Sequence, residues 1–229
     1  MRREFITLLC GAVAACTSSE NSRIRLVTLS EFQSEYEDLW ERMSIRPERL
    51  GTVTSIARKA IAAKTRYQSV EKKSGVPWFV IASLHYRESN SNFSTYLGNG
   101  EPFNRVTRSV PQGRGPFSSW DEGAIDALKI NLLDAVKEWT MARTCFQLEK
   151  FNGFDYRNQG IHTPYLWSYT NHYTRGKYVG DKEFDASAVD PQCGAMPLIK
   201  RIMELDGRAN FAGETIADAV PSASRLPSP

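Results

Sequence analysis

Two glutamates and one aromatic segment carry the chemistry legible in this sequence. Glu88 closes an apolar run, Trp78-Phe-Val-Ile-Ala-Ser-Leu-His-Tyr-Arg-Glu88, and Ser89-Asn-Ser-Asn92 follows it. A lone carboxyl between a buried helix and a polar loop is partly withdrawn from water, and desolvation favours the protonated form that a general acid needs. Glu101 is the next acid downstream, directly after Asn99-Gly100. It is either a second acid for water activation or a solvated turn residue, and the turn role is the plainer one. The aromatic segment runs through Phe151-Asn152-Gly-Phe-Asp-Tyr156 and Thr163-Pro-Tyr-Leu-Trp167-Ser-Tyr-Thr-Asn171-His172-Tyr173. Rings interleaved with amides and hydroxyls suit a polyhydroxylated ligand, whose apolar faces stack while its hydroxyls seek partners. Ser89, Asn152, Tyr156, Trp167, Asn171, His172 and Tyr173 are therefore the candidate ligand contacts, with Leu166 and Tyr165 assigned to core. His172 reads as a hydrogen-bonding group, because the chain holds only three histidines and they are scattered. No metal or cofactor site is expected.

These residues need helices to hold them. Pro77 suits the first position of the run ending in Glu88, where a missing N–H costs nothing. Ser30-Glu-Phe-Gln33 and Ser119-Trp-Asp-Glu122 have the form of capping boxes. The first precedes an apolar stripe of Phe32, Tyr36, Leu39, Trp40 and Met43. The second precedes Ile125, Leu128, Leu132, Val136 and Trp139. Asp121 and Glu122 fit the positive end of that helix. Pro47 and Gly51 part the first helix from another with Val53, Ile56, Ala60, Tyr67 and Val70 on one face. Pro197 opens a last helix through Leu198, Ile199, Ile202 and Leu205. Between Glu88 and Ser119, Asn99-Gly100 is a two-residue hairpin signal and Val106-Thr-Arg-Ser-Val110 alternates as a strand. The fold expected is mainly α, a helical domain with a small β-hairpin.

The N-terminus sets the compartment. Residues 1–16 have a basic start and an apolar run too short to span a bilayer, which is the shape of a secretory signal. Val13-Ala-Ala-Cys16 has the form of a lipobox with Cys16 as the acylated residue; an ordinary cleaved signal with an incidental cysteine is the alternative. Residues 17–28 would form a tether, 29–213 the folded domain and 214–229 an Ala/Ser/Pro-rich disordered tail. Cys145 and Cys193 remain in the mature chain, either as one disulfide in an oxidising compartment or as two buried thiols. A net charge of +3 lacks the strong basic stripe of a nucleic-acid binder.

The Glu88-Ser89-x-x-x-Phe93 pattern after an apolar helix resembles the lysozyme-like superfamily, nearest to lytic transglycosylases and goose-type lysozymes. Phe151-Asn152-Gly153 is similar to the Tyr-Asn-Gly element of the transglycosylases, with Phe for Tyr. The resemblance spans roughly Gly75 to Leu205 and implies several things. The fold would be an α+β lysozyme-like one whose hairpin lines a sugar cleft. Glu88 would be the acid that protonates the glycosidic oxygen between N-acetylmuramic acid and N-acetylglucosamine. The partner would be peptidoglycan glycan strands, met by a monomer that is exported, periplasmic and anchored in a membrane. Hydrolysis with a second carboxylate and one-acid transglycosylation both stay open, as do a non-catalytic peptidoglycan-binding lipoprotein and a helical envelope scaffold.

Overall fold

The structure is a computed structural model that describes residues 27–180 and 182–213. The expected leader with Cys16, most of the tether and the tail from 214 lie outside the described residues. Nine α-helices and one two-stranded antiparallel sheet make up the regular structure there.

The chain is organised around α4, Trp78–Ser89, which is buried from Trp78 to His85. A helix apolar on every face needs neighbours on every face. α3, Lys64–Ser74, packs along one side and α9, Ala195–Leu205, along another. α2, Pro47–Ala62, lies on α9, and α5, Trp120–Ile130, lies on α3. α1, Gln33–Glu41, packs on α6, Met141–Asn152. Two single-turn helices, α7 (Asp155–Asn158) and α8 (Pro164–Trp167), complete the helical set, and α8 bridges α6 and α9. Gly194 caps α9 at its N-terminus. A Cβ there would strike the Leu166 carbonyl, so only glycine lets α9 start directly against α8.

Several boundaries differ from the expected ones. The first capping box begins at Thr28: the Glu31 carboxylate accepts the Thr28 N–H at 3.0 Å and its hydroxyl at 3.1 Å, and a 3-10 turn precedes α1. The single helix expected from Val53 to Val70 breaks at Ala63 into α2 and α3, which pack on different partners. Lys64, just past the break, pairs with Asp206 and lies 5.0 Å from the centre of the Trp78 ring, pinning the bend. Ser119 does cap α5 by accepting the Glu122 N–H at 3.2 Å. That helix stops at Ile130, nine residues short of Trp139, because Leu132 turns into the left-handed region at φ +57°. Its side chain is 64% exposed, while Leu133 and Trp139 return to the core from the turns beyond.

The expected hairpin at residues 96–110 is not a sheet. Only an isolated bridge, Thr95 to Pro102, forms across the Asn99-Gly100 turn. The strands are β1, Lys177–Gly180, and β2, Glu183–Asp185. Residues 106–110 find their hydrogen bonds elsewhere: Arg108 and Ser109 donate their N–H groups to the Glu101 carboxylate, and the Thr107 hydroxyl donates to the Pro111 carbonyl. The proposed disulfide is likewise absent. Cys145 and Cys193 are buried free thiols. Cys145 Sγ lies 3.8 Å from Met141 Sδ one turn back on α6, and Cys193 Sγ lies 3.3 Å from the Gly194 carbonyl. Burial pushes both thiols up, Cys193 to about 12, so neither is a reactive thiolate.

His85 sits inside the core, one turn before Glu88. Its Nδ1 lies 3.0 Å from the Tyr67 hydroxyl, and the Phe93 and Trp120 ring centres are each 4.6 Å from its own. Burial lowers it from 6.5 to about 4. Between those values the unfolded chain binds a proton that the folded one does not, so this contribution is present above pH 6.5 and is lost as pH falls towards 4. His85→Gln should flatten the stability–pH curve in that window by up to ~1.4 kcal/mol per pH unit. Denaturant unfolding at stepped pH measures it, and an unchanged slope would contradict the assignment.

Candidate functional site

Glu88 lies in the last turn of α4, half-buried. The helix ends just beyond it with two successive residues in the left-handed region, Asn90 at φ +53° and Ser91 at +60°. Asparagine tolerates that conformation, and the Ser91 N–H returns to the His85 carbonyl at 3.2 Å. The chain thus leaves α4 sharply, directly after the acid. Tyr165, on α8, donates its hydroxyl to Glu88 Oε1 at 2.8 Å.

A buried ion pair underlies this contact. Arg87, the neighbour of Glu88, is 3% exposed and its partner Asp190 2%. Arg87 Nη2 donates to Asp190 Oδ2 at 2.9 Å, and Nη1 donates to the Cys193 carbonyl at 3.0 Å. Burial alone would lower the guanidinium, but the Asp190 carboxylate more than offsets this and the net direction is up. The guanidinium also lies 4.8 Å from the centre of the Tyr165 ring, so the residue that holds Glu88 is itself held from behind. Asp190 Oδ1 accepts the Gln192 N–H at 2.9 Å and faces Lys177 Nζ at 3.4 Å, which ties β1 to the same cluster. Gln192 closes the circle by donating to the Tyr86 carbonyl at 2.8 Å and to Asn90 Oδ1 at 2.9 Å.

Glu101 has a different task. Its carboxylate accepts the Ser109 N–H at 2.6 Å and the Arg108 N–H at 3.1 Å, bonds that hold its carboxyl below the usual range. It is an ionised clasp across the 99–109 loop. Gly100, at φ +75°, brings this loop to the end of α4, where a Cβ would meet the Glu88 carbonyl oxygen at 3.5 Å. Glu101 is therefore a neighbour in the chain path, with its lone pairs committed to backbone.

Most of the other sequence candidates build the walls rather than face a ligand. Trp167 and Tyr173 are 1% and 2% exposed. Trp167 packs edge-on against His172, and the Tyr173 hydroxyl donates to the Gly176 carbonyl while accepting the Asp190 N–H. Tyr156 is buried and its hydroxyl accepts the Tyr178 N–H, pinning β1. Asn171 accepts from the Ser44 N–H and donates to the Arg42 carbonyl, so it caps the exit of α1. His172 Nε2 donates to the Leu39 carbonyl at 2.7 Å. Burial, the largest influence on it, lowers its pKa. The Ser89 hydroxyl donates back to the His85 carbonyl, and Asn152 is half-buried at the end of α6. The polar groups of Ser89, Tyr156, Asn171, His172 and Tyr173 bond within the protein, while Trp167 lines the smaller of two surface cavities.

Sequence reasoning missed Tyr165, Arg87 and Asp190. A signal existed: an arginine in an otherwise apolar buried helix requires a counter-ion, because an unpaired buried charge is untenable. Of two surface cavities among the described residues, neither is lined by Glu88. One of about 690 Å³ runs along α2. The other, of about 260 Å³, opens beside Glu35, Arg157 and His162. It adjoins a second buried network in which Tyr36 donates to Glu149 at 2.6 Å and Arg157 joins Glu149 to Glu35. Compared with protein-family models, curated proteins and solved structures, the chain matches none of them.

Two outcomes follow from this geometry. Trp167→Ala and Tyr173→Ala should each cost ~3–5 kcal/mol of stability, as truncations of buried aromatics do; urea unfolding checks this, and losses near zero would return these rings to the surface. Asp190→Asn should cost ~3–5 kcal/mol by leaving Arg87 buried without its counter-charge. A double variant, Arg87→Met with Asp190→Leu, should recover much of that loss in the same assay.

Proposed function

We propose that this chain is a peptidoglycan-cleaving glycosidase of lysozyme-like type. It acts on the β-1,4 bond between N-acetylmuramic acid and N-acetylglucosamine, with Glu88 as the acid. The observation that carries the reading is a carboxyl at the mouth of a buried helix, oriented by the Tyr165 hydroxyl at 2.8 Å, beside a loop of Ser and Asn side chains. Glu88 protonates the glycosidic oxygen, the bond from that oxygen to the anomeric carbon breaks, and positive charge develops on the sugar ring.

The route favoured is one-acid transglycosylation. Hydrolysis by the usual mechanism needs a second carboxyl to attack the sugar or activate water. Glu101 is the nearest candidate in sequence, and its oxygens are engaged with the Arg108 and Ser109 N–H groups. With Glu88 alone, the muramic acid 6-hydroxyl attacks the anomeric carbon, returns its proton to Glu88 and leaves a 1,6-anhydro end. In this reading the chain is exported and held at a membrane through Cys16, with the glycan strand as its partner.

Mass analysis of products from purified sacculi is the test. Wild type should release anhydro-ended muropeptides. Glu88→Gln should lower the rate by ~10²–10⁴-fold with unchanged unfolding, the range general acid catalysis supplies. Tyr165→Phe should lower kcat more than it raises KM. Glu101→Gln should retain most turnover per folded molecule. Full activity in Glu88→Gln would end the reading, reducing ends lost in Glu101→Gln would transfer it to hydrolysis, and no product from wild type would leave a binding protein.

A further inference from the structure

The smaller cavity has hydrogen-bonding capacity that the protein leaves unused. It holds about 260 Å³, and α1, α6, α7, the 160–163 turn and α8 all contribute walls, among them Glu35, Glu149, Arg157, His162, Thr163 and Trp167. That volume falls just under the ~300 Å³ at which pockets for drug-sized ligands begin, so it suits one sugar ring or a smaller molecule. Three of the lining residues are nearly sealed: Glu149 is 2% exposed, and Thr163 and Trp167 are 1% each.

Two donors on the α8 side lack an acceptor. The Thr163 hydroxyl caps α8 by accepting the Tyr165 N–H at 3.3 Å, and its own proton goes to no group among the described residues. The Trp167 indole N–H also donates to none of them. The Trp120 and Trp139 indole nitrogens are sealed in the core, but that of Trp167 keeps access to water. Buried donors are nearly always partnered, so an indole N–H in a cavity wall calls for an acceptor from outside. Thr163 and Trp167 are four residues apart and share a face, while Tyr165 between them turns to Glu88. The cavity therefore lies behind α8 as seen from Glu88.

Glu35 and His162 add two acceptors. Glu35 Oε2 accepts from Arg157 Nη1 at 3.0 Å. Its Oε1 accepts no hydrogen bond among the described residues and lies 4.0 Å from His162 Nε2. His162 Nδ1 is 3.3 Å from the His172 carbonyl, so Nδ1 carries the proton there and Nε2 offers a lone pair. Two acceptors 4.0 Å apart can share one nitrogen donor at ordinary hydrogen-bond lengths. Charge points the same way. Glu35 and Glu149 are two carboxylates against the single guanidinium of Arg157, which is spent on both of them and on the Tyr36 hydroxyl. One negative charge is left without a counter-ion in the cavity wall.

We propose that this cavity binds a small primary amine bearing hydroxyl groups, no larger than a single aminosugar. The ammonium donates to Glu35 Oε1 and His162 Nε2 and supplies the missing positive charge. Hydroxyl oxygens of the same molecule accept from the Trp167 indole N–H and the Thr163 hydroxyl. A carboxylate ligand is disfavoured, because Glu149 lies in the wall and Arg157 is already committed. The site stands on the cavity alone and does not depend on cleavage chemistry at Glu88.

The test is calorimetric titration of the full-length protein with D-glucosamine, with D-glucose and N-acetyl-D-glucosamine as controls. Glucosamine should bind saturably at one site per chain. Glucose has a hydroxyl where the ammonium would be, and the acetylated sugar has lost the charge. Both should bind at least about tenfold more weakly. Glu35→Gln, at a half-exposed position, should raise the glucosamine Kd at least about tenfold with unfolding unchanged. Trp167→Phe keeps a ring but removes the N–H, and it should weaken binding in the same direction. Should that variant fail to fold, Glu35→Gln and the two neutral sugars still decide. Glu88→Gln should leave the Kd where it was. No saturable binding of glucosamine at millimolar concentration, equal binding of either neutral sugar, or an unchanged Kd in Glu35→Gln would overturn the proposal. So would a Kd that rises in Glu88→Gln and not in Glu35→Gln, which would put the amine at the other site. Glucosamine binding lost in Glu35→Gln supports the cavity whether or not the protein cleaves sacculi.

Discussion

The structure around Glu88 depends on one buried ion pair. Arg87 and Asp190 are both withdrawn from water, a costly placement for two charges. It is tolerable because the remaining polar positions are largely filled: carbonyls of Gln192 and Cys193 accept from Arg87, and the Gln192 N–H and Lys177 amine face Asp190. Such a pair contributes little net stability compared with apolar residues of the same volume. Its consequence is geometric. It gathers α4, α8, the 190–193 segment and β1 at one point, and that point lies immediately behind the Tyr165–Glu88 contact. If this cluster were apolar, Tyr165 would lose the cation behind its ring and the 190–193 segment would lose its anchor. Specificity of arrangement is the benefit that offsets the desolvation.

The parts of the fold legible in the sequence were those set by local rules. The apolar run of α4 and its polar exit needed only periodicity and turn propensity. The Ser119 cap depended on a hydroxyl three residues before an N–H. What escaped the sequence was decided at long range. The α2–α3 break has no proline or glycine at Ala63, and the partner that meets the chain just past it, Asp206 with Lys64, lies far along the sequence. Asn99-Gly100 did make a turn, but a ladder needs two strands free to pair. The carboxylate of Glu101 took the N–H groups of Arg108 and Ser109 first. The aromatic segment misled for a similar reason. Tyr156 and Tyr173 carry polar tips that resemble ligand contacts until their internal partners are known.

The candidate site divides along the same line. Glu88 was visible because its neighbours in sequence place it at a helix end. Tyr165 was assigned to core, correctly by burial at 3% exposed, yet its hydroxyl is the atom that meets Glu88. Burial and function are not alternatives for tyrosine, which presents an apolar ring and a polar tip. Arg87 was hidden in plain view beside Glu88, since nothing within α4 says which carboxylate will answer it.

Glu88 and Glu101 share a side chain and differ in surroundings. Glu101 receives N–H groups from a loop that needs an ionised acceptor to close, and that loop would weaken if the carboxyl took up a proton. Glu88 is contacted by a hydroxyl, which can donate to a carboxylate or accept from a carboxylic acid. A partner of that kind survives a change of protonation state, and backbone N–H groups do not. A group that must give up and regain a proton in each turnover therefore belongs where Glu88 is and not where Glu101 is. Under the proposed glycosidase reading, that asymmetry favours Glu88 over Glu101 as the acid.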